Sequence, residues 1–221
     1  MEGVQLMPKA TFFHLTKEKQ QRLLDAAKTE FSRTSLKEAS IANIVTLAEI
    51  PRGSFYQYFE NKEDLYFYYF DFLRKDSKTN IEKYVLEANG DLFIGMDSYF
   101  TKMIFNVLTG ENASFYKQFF MNMDYQSTSR ISPQFTLDDI KGAAYQKRRH
   151  GYKLYKLIDH SKFKIQNKQE FKMLMEILMN AVYSSITEGY RELEKDPSYD
   201  IDQTLQNFKA KLNWLKNGVY K

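Results

Sequence analysis

Hydrogen-bonding side chains and aromatic rings are interleaved in one short segment, PRGSFYQYFENK at residues 51–62. On a helix that turns 100° per residue, Phe55 and Phe59 share one face, which predicts that both rings pack in a core. The opposite face is small and polar, as in a helix that enters the DNA major groove. There the backbone can approach closely, arginine and glutamine reach base edges, and tyrosine hydroxyls bind phosphates. The polar face and its rim comprise Arg52, Gly53, Ser54, Tyr56, Gln57 and Tyr58.

Three short helices with tight connections are predicted to position this segment. The first starts at the N-cap Thr16 and the second at the N-cap Ser40. The second helix ends before Pro51, because the residue before a proline disfavours helix, and Pro51 can then start the third helix. Asn61 caps a fourth helix, predicted to reach about Ala88. The spacing over residues 16–60 suits a helix-turn-helix. Periodicity alone is equally compatible with a small helical bundle that has no role in nucleic-acid binding.

The first residue of the fourth helix offers one more anion contact. Lys62 could bind a phosphate with help from the free N–H groups at that helix start.

The remainder of the chain is also predicted to be helical, which gives an all-α fold. Only nine glycines and four prolines interrupt the chain, and this favours long helices. The expected organisation is a loose arm at 1–15, a helix-turn-helix domain at 16–60, a connecting helix at 61–88 and a helical ligand-binding and dimerisation domain at 89–221. Predicted helices in the last part cover 92–108, 114–125, 136–159, 167–195 and 201–219.

Composition narrows the class of protein. The 221 residues are 43% hydrophobic and include no cysteine, so disulfides and thiolate metal sites are excluded and a reducing cytoplasm is expected. No apolar run approaches the roughly 18 residues that span a bilayer. Residues 1–80 hold 12 Lys and Arg against 11 Asp and Glu, so bulk charge does not indicate DNA binding and cations would have to be placed locally.

Sequence motifs of enzymes are absent. The three histidines, His14, His150 and His160, lack metal-ligand spacing, and there is no nucleophile elbow, P-loop or dinucleotide motif. We therefore expect no catalytic activity, no cofactor and no metal.

The stretches LLDAAKTEFSR and SIANIVTLAEIPRGSFYQYFENKEDLY resemble the DNA-binding domain of the tetracycline-repressor (TetR) family of bacterial regulators over about residues 16–70. The resemblance implies that Arg52, Ser54 and Gln57 face bases or nearby backbone. It also implies phosphate contacts, made by Ser40, Tyr56, Tyr58 and Lys62.

Three positions depart from the family pattern. Glu49 replaces a turn glycine, Pro51 replaces a capping serine or threonine, and Ala42 replaces a polar base reader. A distorted turn and lost DNA contacts are the expected consequences.

The last two predicted helices indicate a dimer. The final helix carries an apolar seam with heptad spacing, and the preceding one is apolar on nearly all sides, so it needs cover on both flanks. A four-helix interface between two copies would supply that cover, and the family resemblance implies the same homodimer. The predicted interface residues are Leu178, Val182, Leu205, Phe208, Leu212 and Leu215.

The middle helices are rich in methionine and aromatic side chains. Taken singly, each is expected in a core; taken together, they suggest a cavity for a hydrophobic or aromatic ligand, and the family resemblance implies a small-molecule inducer. The candidate ligand-binding residues are Tyr69, Phe100, Met103, Phe119, Met123, Tyr152, Met179 and Tyr183.

Together these features predict a dimeric regulator that binds double-stranded operator DNA and acts as a repressor released by an inducer. The alternative is a helical ligand-binding or adaptor protein that has kept the fold but lost specific DNA binding.

Overall fold

A computed structural model of the chain describes residues 8–76, 81–122 and 154–219, and these residues form an all-α fold without β-strands, as predicted. No helix among them is long and apolar enough to cross a bilayer. The α-helices in chain order are α1 Ala10–Phe13, α2 Lys17–Arg33, α3 Ile41–Leu47, α4 Arg52–Tyr58, α5 Lys62–Asp76, α6 Ile81–Glu87, α7 Leu92–Thr109, α8 Ala113–Met121, α9 Lys168–Lys195 and α10 Ile201–Val219.

The described residues form two compact units. The first contains residues 8–76 and 111–122, and the second contains residues 81–110 and 154–219. Most of the helix predicted at 136–159 lies outside the described residues, as do residues 77–80. The prediction of one continuous helix over 61–88 therefore stays a prediction.

In the first unit, α2 is the helix against which α3 packs. Its start is the predicted N-cap: the Thr16 hydroxyl oxygen accepts a hydrogen bond from the Lys19 N–H at 3.3 Å. Leu23 and Phe31 lie on its apolar stripe and are buried, as is Ile44 of α3. The amphipathic spacing seen in the sequence thus places α3 and, beyond its turn, α4.

The segment before α2 is not a loose arm over its described part. Phe12 is fully buried, with its ring centroid 5.2 Å from that of Phe59 and 5.3 Å from that of Tyr68. Burial of such a ring stabilises a fold by about 1.5–3 kcal/mol. The prediction of a loose arm was wrong here because the four-residue α1 is too short to show a helical period.

Stacked aromatic rings join α5 to α8 in the first unit. Phe70 and Phe119 stack with centroids 4.0 Å apart and planes 4° apart, and Tyr66 stacks on Phe119 at 5.4 Å. Residues 111–122 therefore pack with the helix-turn-helix part, although the sequence analysis groups them with 89–221.

In the second unit, α9 and α10 pack against each other and against α7. The ring of Phe100 on α7 stacks on Phe208 of α10 at 3.8 Å. Lys211 on α10 donates hydrogen bonds to the Glu188 carboxylate, at 2.8 and 3.0 Å, and to the Ser185 hydroxyl at 3.0 Å. Gly189 permits the close approach of α7, because a Cβ there would lie 2.8 Å from Leu108 Cδ1.

Candidate DNA-binding surface

Helix α4 has the two faces that the sequence predicts. Phe55 and Phe59 are 0% exposed and hold the helix to the first unit. Arg52, Gly53 and Gln57 are exposed on the other side. The helix therefore presents small and polar groups to the outside while its aromatic side fixes its position.

The eight residues predicted to contact DNA all lie in the first unit, at its surface or half-buried. Tyr56 is 42% exposed. Tyr58 and Ser54 are half-buried beside the exposed face of α4, while Ser40 and Lys62 are half-buried at the starts of α3 and α5.

The turn between α3 and α4 keeps a left-handed residue without a glycine. Glu49 adopts φ +55°, a conformation that costs a residue with a Cβ roughly 1–2 kcal/mol. Its carboxylate accepts a hydrogen bond from Nη1 of Arg22 on α2 at 3.0 Å, which ties the turn to that helix. The turn geometry that glycine would favour is thus present, and the departure at position 49 does not abolish it.

Pro51 stands at the N-cap of α4. Its carbonyl oxygen accepts a hydrogen bond from the Ser54 N–H at 2.9 Å, which closes the first turn of the helix. A proline has neither an N–H nor a polar side chain. The N-cap of α4 therefore lacks the hydrogen-bond donor that a serine or threonine would offer there.

Ser40 occupies the predicted N-cap position of α3, but its hydroxyl makes no capping hydrogen bond within the described residues. The neighbouring carboxylate of Glu30 organises this helix start instead. Glu30 is 1% exposed and accepts hydrogen bonds from the Ser40 N–H at 2.8 Å, from Asn43 Nδ2 at 3.3 Å and from Arg33 Nη2 at 3.0 Å.

The charge of Glu30 is retained in spite of its burial. Burial raises the pKa of the Glu30 carboxyl, but the hydrogen bonds from Ser40, Arg33 and Asn43 and the charge of Arg33 outweigh it, so the pKa lies below its usual value. A buried carboxylate therefore fixes the start of α3 to α2. This role of Glu30 was not predicted, although position 30 falls seven residues after Leu23 on the apolar stripe of α2.

Lys62 is engaged within the protein. Its ammonium group donates hydrogen bonds to the carbonyl oxygens of Lys37 at 2.7 Å and Ala39 at 2.9 Å. The predicted cap of α5 is confirmed alongside it, since the Asp64 N–H donates to Asn61 Oδ1 at 2.9 Å. Lys62 thus ties the start of α5 to the loop before α3, with one ammonium proton left for an anion.

The segment before α2 closes the C-terminal end of α4. Lys9 donates two hydrogen bonds of 2.8 Å, from its N–H to the Tyr58 carbonyl and from its ammonium group to the Tyr56 carbonyl. The Thr11 hydroxyl donates to the carbonyl of Gln57, which lies between them. Neither residue could be identified from the sequence, because hydrogen bonds to a backbone 46 to 49 positions away leave no periodic signal.

The residues predicted to bind a ligand divide between the two units. Tyr69 and Phe119 are buried in the first unit, where the Tyr69 hydroxyl donates to Asn112 Oδ1 at 3.2 Å and burial raises the pKa of that hydroxyl. Met123 and Tyr152 lie outside the described residues. The other four belong to the second unit. Phe100 and Tyr183 are buried, and Met103 and Met179 are half-buried.

The residues predicted to form a dimer interface lie mostly inside the protomer. Five of the six are at most 8% exposed, and Leu215 is half-buried. Such side chains pack α9 and α10 against their own chain and cannot cover an outward face. The five buried residues are Leu178, Val182, Leu205, Phe208 and Leu212.

Other apolar side chains of these two helices point outward. Met173 and Ile177 on α9 are 52% and 49% exposed, and Trp214 on α10 is 73% exposed. These three residues are referred to below as the α9–α10 apolar face.

Two family models match the chain. Residues 23–69 match the model described as bacterial regulatory proteins, tetR family, and residues 91–219 match the tetracyclin repressor-like C-terminal domain. Among curated proteins, no sequence matches the chain at a significant level.

Three solved structures of transcriptional regulators are similar in fold to this chain. SmeT, the repressor of the Stenotrophomonas maltophilia multidrug efflux pump SmeDEF, has a TM-score of 0.56 at 12% identity, covering 95% of this chain and 93% of SmeT. A TetR family transcription regulator from Marinobacter aquaeolei VT8 has a TM-score of 0.53 at 14% identity, covering 92% and 96% of the two chains. A regulator from Shewanella sp. PV-4 has a TM-score of 0.52 at 14% identity, covering 93% and 100%.

Proposed function

The chain belongs to the TetR family of bacterial regulatory proteins, whose members are transcriptional regulators, and from this premise we propose that it is a dimeric, cytoplasmic repressor that a small molecule releases from operator DNA. It is not an enzyme on this proposal. The observation that carries it is the construction of α4: a polar, exposed face opposite two fully buried phenylalanines, Phe55 and Phe59.

Base recognition falls to the exposed side chains of α4. Arg52 in the first turn and Gln57 in the last can make hydrogen bonds to base edges, while Gly53 lets the backbone come close to the groove. Tyr56 and Tyr58 flank that face and contact phosphates. Ser40 contributes its free hydroxyl to the DNA backbone, and Lys62 contributes its remaining ammonium proton.

The dimer forms through the α9–α10 apolar face rather than through the seam first expected. Exposed tryptophan, methionine and isoleucine side chains are costly in water, and aromatic and methionine side chains are enriched in interface cores. A two-fold pair of chains then offers two copies of α4 to successive major grooves of a pseudo-palindromic operator.

Inducer binding belongs to the second unit in this proposal. A hydrophobic or aromatic ligand shifts the population toward dimers whose two copies of α4 no longer match the operator. The coupling must be reciprocal, so operator DNA weakens inducer binding by the same factor. Phe100, Met103, Met179 and Tyr183 remain the proposed contacts among the described residues.

The departure at position 49 does not count against DNA binding. Glu49 holds the left-handed conformation that the helix-turn-helix needs, supported by Arg22.

Selection of binding sequences from a pool of random DNA duplexes tests the proposal. The wild-type protein should enrich a two-fold symmetric sequence, and Gln57→Ala should relax the preference at one position of each half-site, with affinity for that sequence reduced by about 1–3 kcal/mol. Gln203→Ala, at an exposed glutamine on α10, is the matched control and should select the same sequence as wild type. Failure of the wild-type protein to enrich any sequence would favour the adaptor alternative.

A further inference from the structure

The last turn of α4 depends on hydrogen bonds from outside the helix. A helix of seven residues is marginal by itself, and its final carbonyl groups have no partners within it. Here the carbonyls of Tyr56, Gln57 and Tyr58 each accept a hydrogen bond from Lys9 or Thr11. The C-terminal turn carries these three predicted DNA contacts, and each of their carbonyl groups is thus hydrogen-bonded to the segment before α2.

That segment is itself fixed to the core of the first unit. Phe12 is fully buried between Phe59, which directly follows α4, and Tyr68 of α5. The backbone on either side of Phe12 is therefore held in place, and Lys9 and Thr11 reach α4 from a rigid support. The ammonium of Lys9 also lies at the negative end of the helix dipole, where a cation is favourable.

We propose that Lys9 and Thr11 are positioning residues for DNA recognition: they set the orientation of the last turn of α4 and so determine which base edge Gln57 meets. They act through backbone carbonyls and not by touching bases. Both residues precede the segment that matches the family model, residues 23–69, so this support is a feature of this chain beyond the matched part. The inference rests on the proposed function, because it presumes that α4 reads DNA.

Thr11 is the more decisive residue to change, because it is uncharged and exposed. Replacing it removes no charge that attracts phosphates and opens no cavity. Loss of one hydrogen bond of ordinary strength corresponds to about a fivefold loss of affinity if the turn must be ordered on binding. A displaced Gln57 should also broaden the base preference that α4 selects.

The experiment compares Thr11→Val, Thr11→Ser and wild type on the duplex that wild type selects from a random pool and on an unrelated duplex. We expect Thr11→Val to bind the selected duplex about fivefold more weakly, to bind the unrelated duplex within twofold of wild type, and to retain the salt dependence of wild type. Thr11→Ser, which keeps the hydroxyl, should behave as wild type. Amide hydrogen exchange of residues 57–59 should be faster in Thr11→Val alone.

A threonine elsewhere provides the matched control. Thr29 is exposed on α2, and its hydroxyl donates to the Asp25 carbonyl at 2.9 Å, so Thr29→Val removes the same kind of bond away from α4. It should leave both affinities and the exchange of residues 57–59 unchanged.

Two results would overturn the inference. Equal affinity and an unchanged base preference in Thr11→Val would mean that Thr11 does not position α4. An equal loss of affinity on both duplexes would make Thr11 a direct phosphate contact rather than a positioning residue. If wild type selects no sequence, the proposed function fails instead, so the two failures are distinguishable.

Discussion

Replacement of Glu30 by glutamine should destabilise the protein by about 2 kcal/mol at neutral pH. The carboxylate accepts hydrogen bonds from the Ser40 N–H, Asn43 Nδ2 and Arg33 Nη2, and it is almost completely buried. Glutamine has nearly the same shape, but it carries no charge and presents an NH2 group where a second acceptor stood.

The size of this loss in the free energy of unfolding is estimated from what each of the three donors bonds after the substitution. The Ser40 N–H keeps an oxygen acceptor but loses a charged one, which costs about 1 kcal/mol. The Asn43 amide lies 3.3 Å from both carboxylate oxygens; it keeps one of them and meets the new NH2 group in place of the other, which costs about another 1 kcal/mol. The side chain of Arg33 is 59% exposed, so water solvates it after the change. The larger loss of 3–5 kcal/mol, typical of a stranded buried charge, therefore does not apply.

The loss should depend on pH. Because hydrogen bonds to the charged form lower the pKa of Glu30 in the folded state, its stabilising effect is fully present above the unfolded-state pKa of about 4.3 and is lost as the pH falls through the folded-state pKa. Glutamine does not titrate. The difference between wild type and Glu30→Gln should therefore be constant from pH 7 to about pH 5 and shrink at lower pH.

Urea unfolding followed by far-UV circular dichroism measures this difference, at one protein concentration so that subunit association contributes equally. With a slope of about 2 kcal/mol/M, the midpoint should fall by about 1 M at pH 7. Glu38→Gln is the control: Glu38 is exposed, bonds the Thr34 hydroxyl at 2.8 Å, and should change stability by less than about 0.5 kcal/mol. Equal losses in the two variants, or a loss for Glu30→Gln that persists unchanged at pH 3.5, would refute the reasoning.

Three further substitutions test other parts of the account. Glu49→Gly should raise stability by about 0.5–1 kcal/mol in urea unfolding, since glycine adopts φ +55° freely and loses only the exposed pair with Arg22; a lower midpoint would argue against strain in the turn. Lys62→Met should lower stability by about 2 kcal/mol without DNA, because two carbonyl groups lose their donor; unchanged stability would restore Lys62 as a mobile phosphate contact. Trp214→Ser should shift sedimentation toward the monomer while the circular dichroism spectrum stays that of wild type; an intact dimer would place the interface elsewhere.

Faces of helices could be predicted from the sequence, but not what covers them. The spacing of Phe55 and Phe59 correctly predicted that one side of α4 is buried. The seam containing Leu205 and Leu212 has the same kind of spacing, yet it is buried by its own chain. Periodicity reports that a face is buried and carries no information on whether the cover is the same chain or a second copy.

Hydrogen bonds between distant segments account for the structural roles that could not be predicted from the sequence. Lys9, Thr11 and Lys62 bond backbone carbonyls, which every residue offers, so no partner type is visible in the sequence. Glu30 did leave a signal, since a charged residue on an apolar stripe must find buried partners. The residues it bonds are 3, 10 and 13 positions away, and only the fold brings them together.

Cleavage of DNA from a chemical tether on α4 tests the central claim most directly. The chain contains no cysteine, so Gln57→Cys gives a single attachment point for an iron chelate that cleaves nearby DNA. Bound to its selected duplex, this variant should cut within the two half-sites, about one helical turn apart. A tether at Ser114→Cys, exposed on α8 of the same unit, should cut weakly or not at all. Strong cutting from position 114 with none from position 57 would contradict the assignment of α4 as the DNA-reading helix.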